Sequence, residues 1–350
     1  MGLAVGDALG APLEGLSVTQ IRAHYRLVRD YVDGMRAWRK KPFRWRLPGL
    51  YTDDTQQALA LTDVLLKRGS VDLNRLAKMF VDLAEPDGSY AGSHRGIGRS
   101  FRLVLAELRR GVPPQRTGQV SAGIGSATRI APVGVFFADD PDRMTEAISS
   151  VSLMTHRDIR SVAAAAAVAF GVRRLLRGES REPSFALRLA ADVARFEEQV
   201  RDRHASILLG VSEHHHSLSI SLARVEAVLD LARPKALAAL VEEANRHGPD
   251  PSCKRPSMGF PPAALPLCLY LLLMTESFEE ALTEVVNLGG DADSTGAILG
   301  AWAGAHYSVG SIPEGWLSGL RNSEGIALRA RALAIQPTDG HEFRDQLDAE

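Results

Sequence analysis

Thr52-Asp53-Asp54-Thr55 places two adjacent carboxylates between two hydroxyls, so four hard oxygen donors fall within one short stretch. A second stretch of the same character, Gly289-Gly290-Asp291-Ala292-Asp293-Ser294-Thr295, comes late in the chain. Like charges crowded beside apolar segments repel one another and resist desolvation unless a cation lies between them. A divalent metal is therefore the economical reason for both stretches. Neither contains Cys or His, and an all-oxygen donor set suits magnesium, manganese or calcium and not zinc. The spacing Asp-x-Asp-Ser-Thr lacks the Gly and the distal Glu of an EF-hand loop, which argues against calcium of that type. The competing reading is capping: Asp53 with Gln56 three residues on forms a capping box, and a helix N-terminus favours anions in any case. Recurrence of the pattern in two distant places favours the metal.

The elements that must position these groups are helices. Ala58, Leu59, Leu61, Val64, Leu65 and Leu66 recur at helical spacing as far as the breaker Gly69, so the first donors sit on the opening turn of a helix. The small-residue run 296–306 makes a second helix behind Asp293. At the N-terminus, residues 2–15 mix small residues with Asp7 and Glu14, and small residues let helices approach closely. Pro12 should end or kink that helix and leave Glu14 in the loop beyond. Asp7 reads as exposed polar punctuation; Glu14, given the two acidic stretches downstream, reads as functional.

Further helices are predicted over 72–84, 98–110, 140–156, 157–177, 234–247, 261–274 and 278–288, with a helical, charged pattern over 183–231. A loop rich in Gly, Ser and Asp is expected around 88–98. Almost nothing alternates with period two, so the chain reads as all-α, a single domain over 1–350 without repeats or low-complexity tracts. In the stretch 121–134, glycines and hydroxyls can expose backbone N–H groups to a phosphate, although Gly-Ile-Gly-Ser matches neither a Walker loop nor a dinucleotide fingerprint. His156 ends a helix, where a cap or dipole partner is the ordinary role. His214, His215 and His216 cannot all face one metal from a regular helix and read as loop. The tract 35–46 interleaves Arg and Lys with Trp38, Phe43 and Trp45; it reads first as a solvated loop and second as a grip for an anionic partner.

Of 350 residues, 45% are apolar and 24% charged, with a net charge of −1, which gives ample core and no overall attraction to nucleic acid or membrane. Cys253 and Cys268 are too few for a disulfide framework and read as ordinary thiols of a reducing cytoplasm. No signal peptide or transmembrane span is indicated, and Gly6 in place of Ser or Thr removes the myristoylation pattern.

Together, Gly6-Asp7-Ala8-Leu9-Gly10 with Glu14, Tyr51-Thr52-Asp53-Asp54-Thr55, and Gly290-Asp291-Ala292-Asp293-Ser294 resemble the ADP-ribosylglycohydrolase family over nearly the full chain. Gly-Ile-Gly-Ser and Thr155-His156 lie between them in the family's order. The resemblance implies a compact all-α enzyme with two magnesium or manganese ions at the base of a cleft, releasing ADP-ribose from modified side chains or small molecules. It implies Thr52, Asp53, Asp54, Asp291, Asp293 and Ser294 as metal ligands, with Glu14, on a mobile loop, contributing to coordination and catalysis. Ser121, Ala122, Gly123, Ile124, Gly125 and Ser126 match the loop that holds the ADP-ribose phosphates, and His156 matches a substrate-contacting histidine. Cleavage at C1″ develops positive charge on the ribose, for which paired carboxylates are the usual answer. Glu14 or a metal-ligating aspartate such as Asp53 would take the proton of the attacking water.

Three departures from the family pattern stand out. Ser294 replaces Thr and keeps the hydroxyl, Ile124 replaces Asn with Thr128 replacing Met in the phosphate loop, and the chain starts close to Gly6. The expected substrate is an ADP-ribosylated protein, of arginine or serine type, or a small-molecule or nucleic-acid conjugate, handled by a monomer without membrane association. The rival readings are a non-catalytic ADP-ribose-binding protein that keeps the fold and, more weakly, a magnesium-dependent phosphohydrolase.

Overall fold

The computed structural model describes residues 1–85 and 94–335. In chain order its helices are α1 Gly2–Gly10, α2 Val18–Tyr25, α3 Asp53–Arg68, α4 Leu73–Leu83, α5 Arg99–Arg109, α6 Gly125–Thr128, α7 Ala131–Phe136, α8 Pro141–Leu153 and α9 Ile159–Leu176. They continue as α10 Ser184–His204, α11 Val211–His214, α12 Ser217–Ala223, α13 Arg233–Asn245, α14 Pro261–Met274, α15 Phe278–Asn287, α16 Ala292–Tyr307, α17 Glu314–Gly319 and α18 Ser323–Ile335. The described residues contain no strand, only isolated bridges between Gln119 and His156 and between Asp158 and Leu209, so the all-α reading holds. Of the expected loop 88–98, residues 88–93 lie outside the described residues.

The contact that brings the acidic stretches together is the packing of α1 on α16. Gly2, Gly6 and Gly10 lie at four-residue intervals on one face of α1, and Gly296, Gly300 and Gly304 do the same on α16. A Cβ on Gly6 would stand 1.9 Å from the Gly296 carbonyl oxygen, and one on Gly300 would stand 2.2 Å from the Gly2 carbonyl oxygen. Backbone therefore touches backbone along the whole seam, an approach that any side chain would prevent. On its other side α16 meets α9, whose alanine run is fully buried. There Trp302 lies over Gly171 and its indole N–H donates to the Val168 carbonyl at 3.2 Å. The main apolar cluster includes residues from Ala4 to Ile326.

α3 begins one residue earlier than a cap at Asp53 would require. Thr52 is the N-cap, with extended backbone and its hydroxyl 3.4 Å from the Asp54 N–H, while Gly69 closes the helix in the left-handed conformation at φ 67°. The capping-box reading of Asp53 and Gln56 is corrected accordingly: Gln56 accepts instead from the Arg95 N–H at 3.3 Å. With a threonine doing the capping, both carboxylates of the first turn are released for other work.

Candidate active site

Asp7 is the foundation of the site and not exposed punctuation. It is fully buried, and its carboxylate accepts the Thr52 N–H at 2.9 Å, the Thr55 N–H at 3.0 Å and the Thr55 hydroxyl at 2.6 Å. One side chain of α1 thus binds the positive end of α3 and fixes the Asp53-Asp54 pair against the helix that leads into the Glu14 loop. Burial pushes the Asp7 pKa up, and the bonds from Thr55 and Thr52 pull it back. A charge in the middle of a run of Gly, Ala and Leu was the sequence signal for such a buried carboxylate.

Around this foundation four aspartates and Glu14 share one electrostatic neighbourhood. Burial pushes Asp53 up to about 8, with the charges of Asp7 and Glu14 adding to it. Asp54 rises well above the carboxylate range through burial and through repulsion by Asp53, Asp7 and Asp291. Asp291 goes to about 6, raised by burial and by Glu14, while Asp293 rises well above the range through burial, Glu14, Asp291 and Asp54. The neighbouring Ser294 and Asp293 side chains of its own motif partly offset the rise at Asp291. Two buried carboxylate oxygens, Oδ2 of Asp54 and Oδ1 of Asp293, have no hydrogen-bond partner. Unpartnered buried anionic oxygens on two facing helices are what a hard cation would satisfy, so the residues present fit a divalent ion.

Glu14 follows the 3-10 turn Ala11–Leu13, beyond Pro12 as expected, and its loop is tied to the second acidic stretch through the backbone. Gly15 N–H donates to the Gly290 carbonyl at 2.6 Å and Gly290 N–H to the Leu16 carbonyl at 2.9 Å. The Glu14 carboxylate pairs with the Arg44 guanidinium at 2.8 Å. Arg44 comes from the basic-aromatic tract, which also reaches α1's end through Trp38, whose indole N–H donates to the Pro12 carbonyl at 3.1 Å. The tract is thus a wall of the site, with Arg36, Arg39, Lys40 and Lys41 lining an open pocket beside Trp38.

The expected phosphate loop is stapled from beneath. The Ser161 hydroxyl donates to the Ser121 and Gly123 carbonyls, both at 2.8 Å, and the Ser126 hydroxyl donates to the Ser161 carbonyl at 2.8 Å. Ser126 and Ile124 both turn inward and are buried, so neither presents its side chain to a ligand. What remains for an anion is the backbone of 121–126 and the free N–H groups at the start of α6. His156 stands against this loop: a Cβ on Gly125 would be 3.5 Å from its Cε1 and one on Gly123 3.6 Å from its Nε2. Its Nδ1 is 2.8 Å from the Thr155 hydroxyl, and burial with the Arg129 charge lowers its pKa to about 3, so the ring is neutral.

A relay that sequence reasoning missed joins the loop to the aspartates. Gln57 donates to Asp53 Oδ2 at 2.8 Å, and Arg129 donates to Gln57 Oε1 and to the Gly125 carbonyl, both at 2.9 Å. Thr128, noted above as a departure, donates its hydroxyl to the Gly125 carbonyl at 3.2 Å and partly offsets the rise of the Asp54 pKa. Gln57 stands four residues after Asp53, a helix spacing that could have revealed it. Arg129 carried no such signal. Also unforeseen, the Arg95 carbonyl accepts the Asp53 N–H at 2.8 Å, and Gly96 passes so close that a Cβ there would be 2.9 Å from Asp53 Oδ1.

Elsewhere, an apolar cavity of about 500 Å³ lined by residues such as Leu3, Ala58, Leu59, Val135 and Leu176 contains none of these acids. No helix among the described residues is long and apolar enough to cross a membrane.

Residues 1–342 match the family described as ADP-ribosylglycohydrolase. The chain is 28% identical to the ADP-ribosyl-dinitrogen reductase glycohydrolase of Rhodospirillum rubrum over 91% of this chain and 88% of that one. It is 27% identical to the ADP-ribosylarginine hydrolase Tri1 of Serratia proteamaculans, covering 95% of this chain and 77% of the relative. A solved structure titled ADP-ribosylglycohydrolase-related protein complex superposes with a TM-score of 0.66 at 30% identity, covering 95% and 94% of the two chains. Sequence match and helical architecture coincide over essentially the whole length, and the chain belongs to the ADP-ribosylglycohydrolase family.

Proposed function

We propose that this protein is a metal-dependent hydrolase that cleaves the C1″ glycosidic bond linking ADP-ribose to an arginine or serine side chain, or to another conjugate, and releases ADP-ribose. The observation that carries this reading is the pair of buried, unpartnered oxygens on Asp54 and Asp293, set on facing helices within one cluster of carboxylates. Stability alone gives no reason to retain them, since uncompensated buried charge is destabilising.

In this reading Thr52, Asp53, Asp54, Asp291, Asp293 and Ser294 hold two magnesium or manganese ions, and Glu14 closes the set from its loop. Such ions, when bound, position ribose hydroxyls and lower the pKa of water. The chain's own groups do the rest. The backbone of 121–126 takes the diphosphate, with Ser161 fixing the loop's shape before the ligand arrives. His156, neutral and bound through Nδ1 to Thr155, turns its other ring edge toward Gly123 and Gly125, where it borders the bound nucleotide. Glu14, oriented by Arg44, accepts a proton from the water whose oxygen bonds to C1″ as the bond from C1″ to the leaving nitrogen or oxygen breaks, and that proton is then passed to the leaving group; Asp53 is the second carboxylate placed for that role.

The reading extends to a monomer working in the cytoplasm on an ADP-ribosylated protein or conjugate, in keeping with two buried cysteines that form no disulfide. The test is product analysis on ADP-ribosylated arginine, serine and nucleic-acid substrates with magnesium, manganese or a chelator. Free ADP-ribose formed only with metal supports the reading. Phosphate release, or binding without turnover on every substrate, overturns it.

A further inference from the structure

The loop between α11 and α12 converges two of the three adjacent histidines, which the helical argument had set apart. His216 adopts the left-handed conformation at φ 64°, rare for a non-glycine residue, and this turn brings the His215 and His216 rings to a centroid separation of 3.9 Å. Across from them on α10, Glu198 Oε1 lies 2.9 Å from His216 Nε2 and 3.7 Å from His215 Nε2. The three ligand-capable atoms lie within 4.8 Å of one another.

A second layer stands behind this group. The buried Glu197 carboxylate faces His216 Nδ1 at 3.3 Å and accepts the Ser219 hydroxyl at 2.7 Å, so the ring is held from behind with its Nε2 turned toward Glu198. Glu197 is fully buried, and its Oε1 has no hydrogen-bond partner; buried His215 Nε2 also makes no hydrogen bond. Strained backbone, an unpartnered imidazole nitrogen and a carboxylate-backed histidine together describe a site and not a surface ion pair.

We propose that Glu198, His215 and His216 bind one divalent transition-metal ion of zinc, cobalt or nickel type, at a site independent of the aspartate cluster. Two imidazoles and a carboxylate suit such borderline ions and not magnesium, and three protein ligands leave a fourth position for water. The ion would clasp α10 to the start of α12 and so hold the intervening segment, in which Leu209 pairs by backbone with Arg157 and Ile159, next to His156.

The experiment is a cobalt(II) titration of the full chain with the aspartate site saturated by magnesium, followed through the visible absorption bands of low-coordinate cobalt. One equivalent should give the bands, and Asp54→Asn should leave them unchanged. His216→Ala and Glu198→Gln should each weaken binding at least about tenfold with unchanged circular dichroism, and Glu197→Gln, through His216, by about tenfold. Glu198 is partly exposed, so its substitution keeps the test valid if a histidine variant fails to fold. Absence of the bands in the wild type, or their survival in Glu198→Gln and His216→Ala, overturns the proposal.

Discussion

The aspartate cluster and the Glu198–His215–His216 group are built on opposite principles. The first gathers carboxylates from distant parts of the chain, and its geometry is set by rigid helices: α1 and α16 touch backbone to backbone, and Asp7 fastens α3 to them. The second is local, spanning residues 197–219, and depends on a helix break and one left-handed residue. In the first, burial and mutual repulsion push the carboxylates up, so a hard cation is needed to keep them ionised. The second pairs two imidazoles with a partly exposed glutamate, and stands without a metal at little expense. A site for chemistry that must discriminate a scissile bond calls for the former; a fastening can use the latter.

The largest expected contrast is in turnover. Glu14→Gln should lower kcat by about 10²- to 10⁴-fold with the fold intact, whereas His216→Ala should leave ADP-ribose release near the wild-type rate. Equal losses in both would erase the distinction between catalytic site and fastening. Next comes the helix seam. Gly296→Ala sets a Cβ about where the Gly6 carbonyl oxygen now lies, 2.3 Å away, and should destabilise the protein by about 3 kcal/mol in denaturant unfolding while also weakening magnesium binding. Destabilisation without loss of metal affinity would show that the seam is not what registers the aspartates.

Metal removal should separate the two regions by pH. Asp53 has a folded pKa of about 8 against an ordinary 3.8, so between these values the folded state holds more protons than the unfolded one. Its contribution to the stability of the chelated protein is therefore fully present below about pH 4 and lost as pH rises through about 8. Thermal unfolding in chelator should show a Tm that falls over this window, with magnesium abolishing the fall and Asp54→Asn reducing it. A flat or rising profile in chelator would contradict the burial of these carboxylates. The smallest effect concerns the wall of the site. Arg44→Ala removes a half-buried ion pair worth about 1 kcal/mol, and kcat/KM should fall about fivefold through misorientation of Glu14. Replacing Lys40 and Lys41 by Gln should change KM only for polyanionic conjugates and flatten its salt dependence.

Much of this molecule was written in local pattern. Helical periodicity and breakers such as Gly69 and Pro12 set the elements to within a few residues, because amphipathic spacing and backbone-restricted residues act over one or two turns. The paired acidic stretches were legible for a similar reason: clustered carboxylates are costly, so two such stretches far apart in the chain are expected to share one site, and the fold does bring them together. What escaped was whatever depends on partners distant in sequence. Asp7 read as exposed because nothing local shows that α16 and α3 close over it, and Gln56 read as a cap because only Arg95 reveals its true partner. Ile124 and Ser126 sit in the expected phosphate loop but face inward, since Ser161 and the core claim them. The histidine run was legible as a break between helices, but the left-handed turn at His216 and the approach of His215 and His216 to Glu198 depend on α10, which their local sequence does not show. Residue chemistry and period thus come from the sequence alone, being properties of the chain over a turn or two. The direction each carboxylate faces, and what compensates its charge, comes only from packing, because desolvation and Coulomb interaction depend on distances that the fold creates.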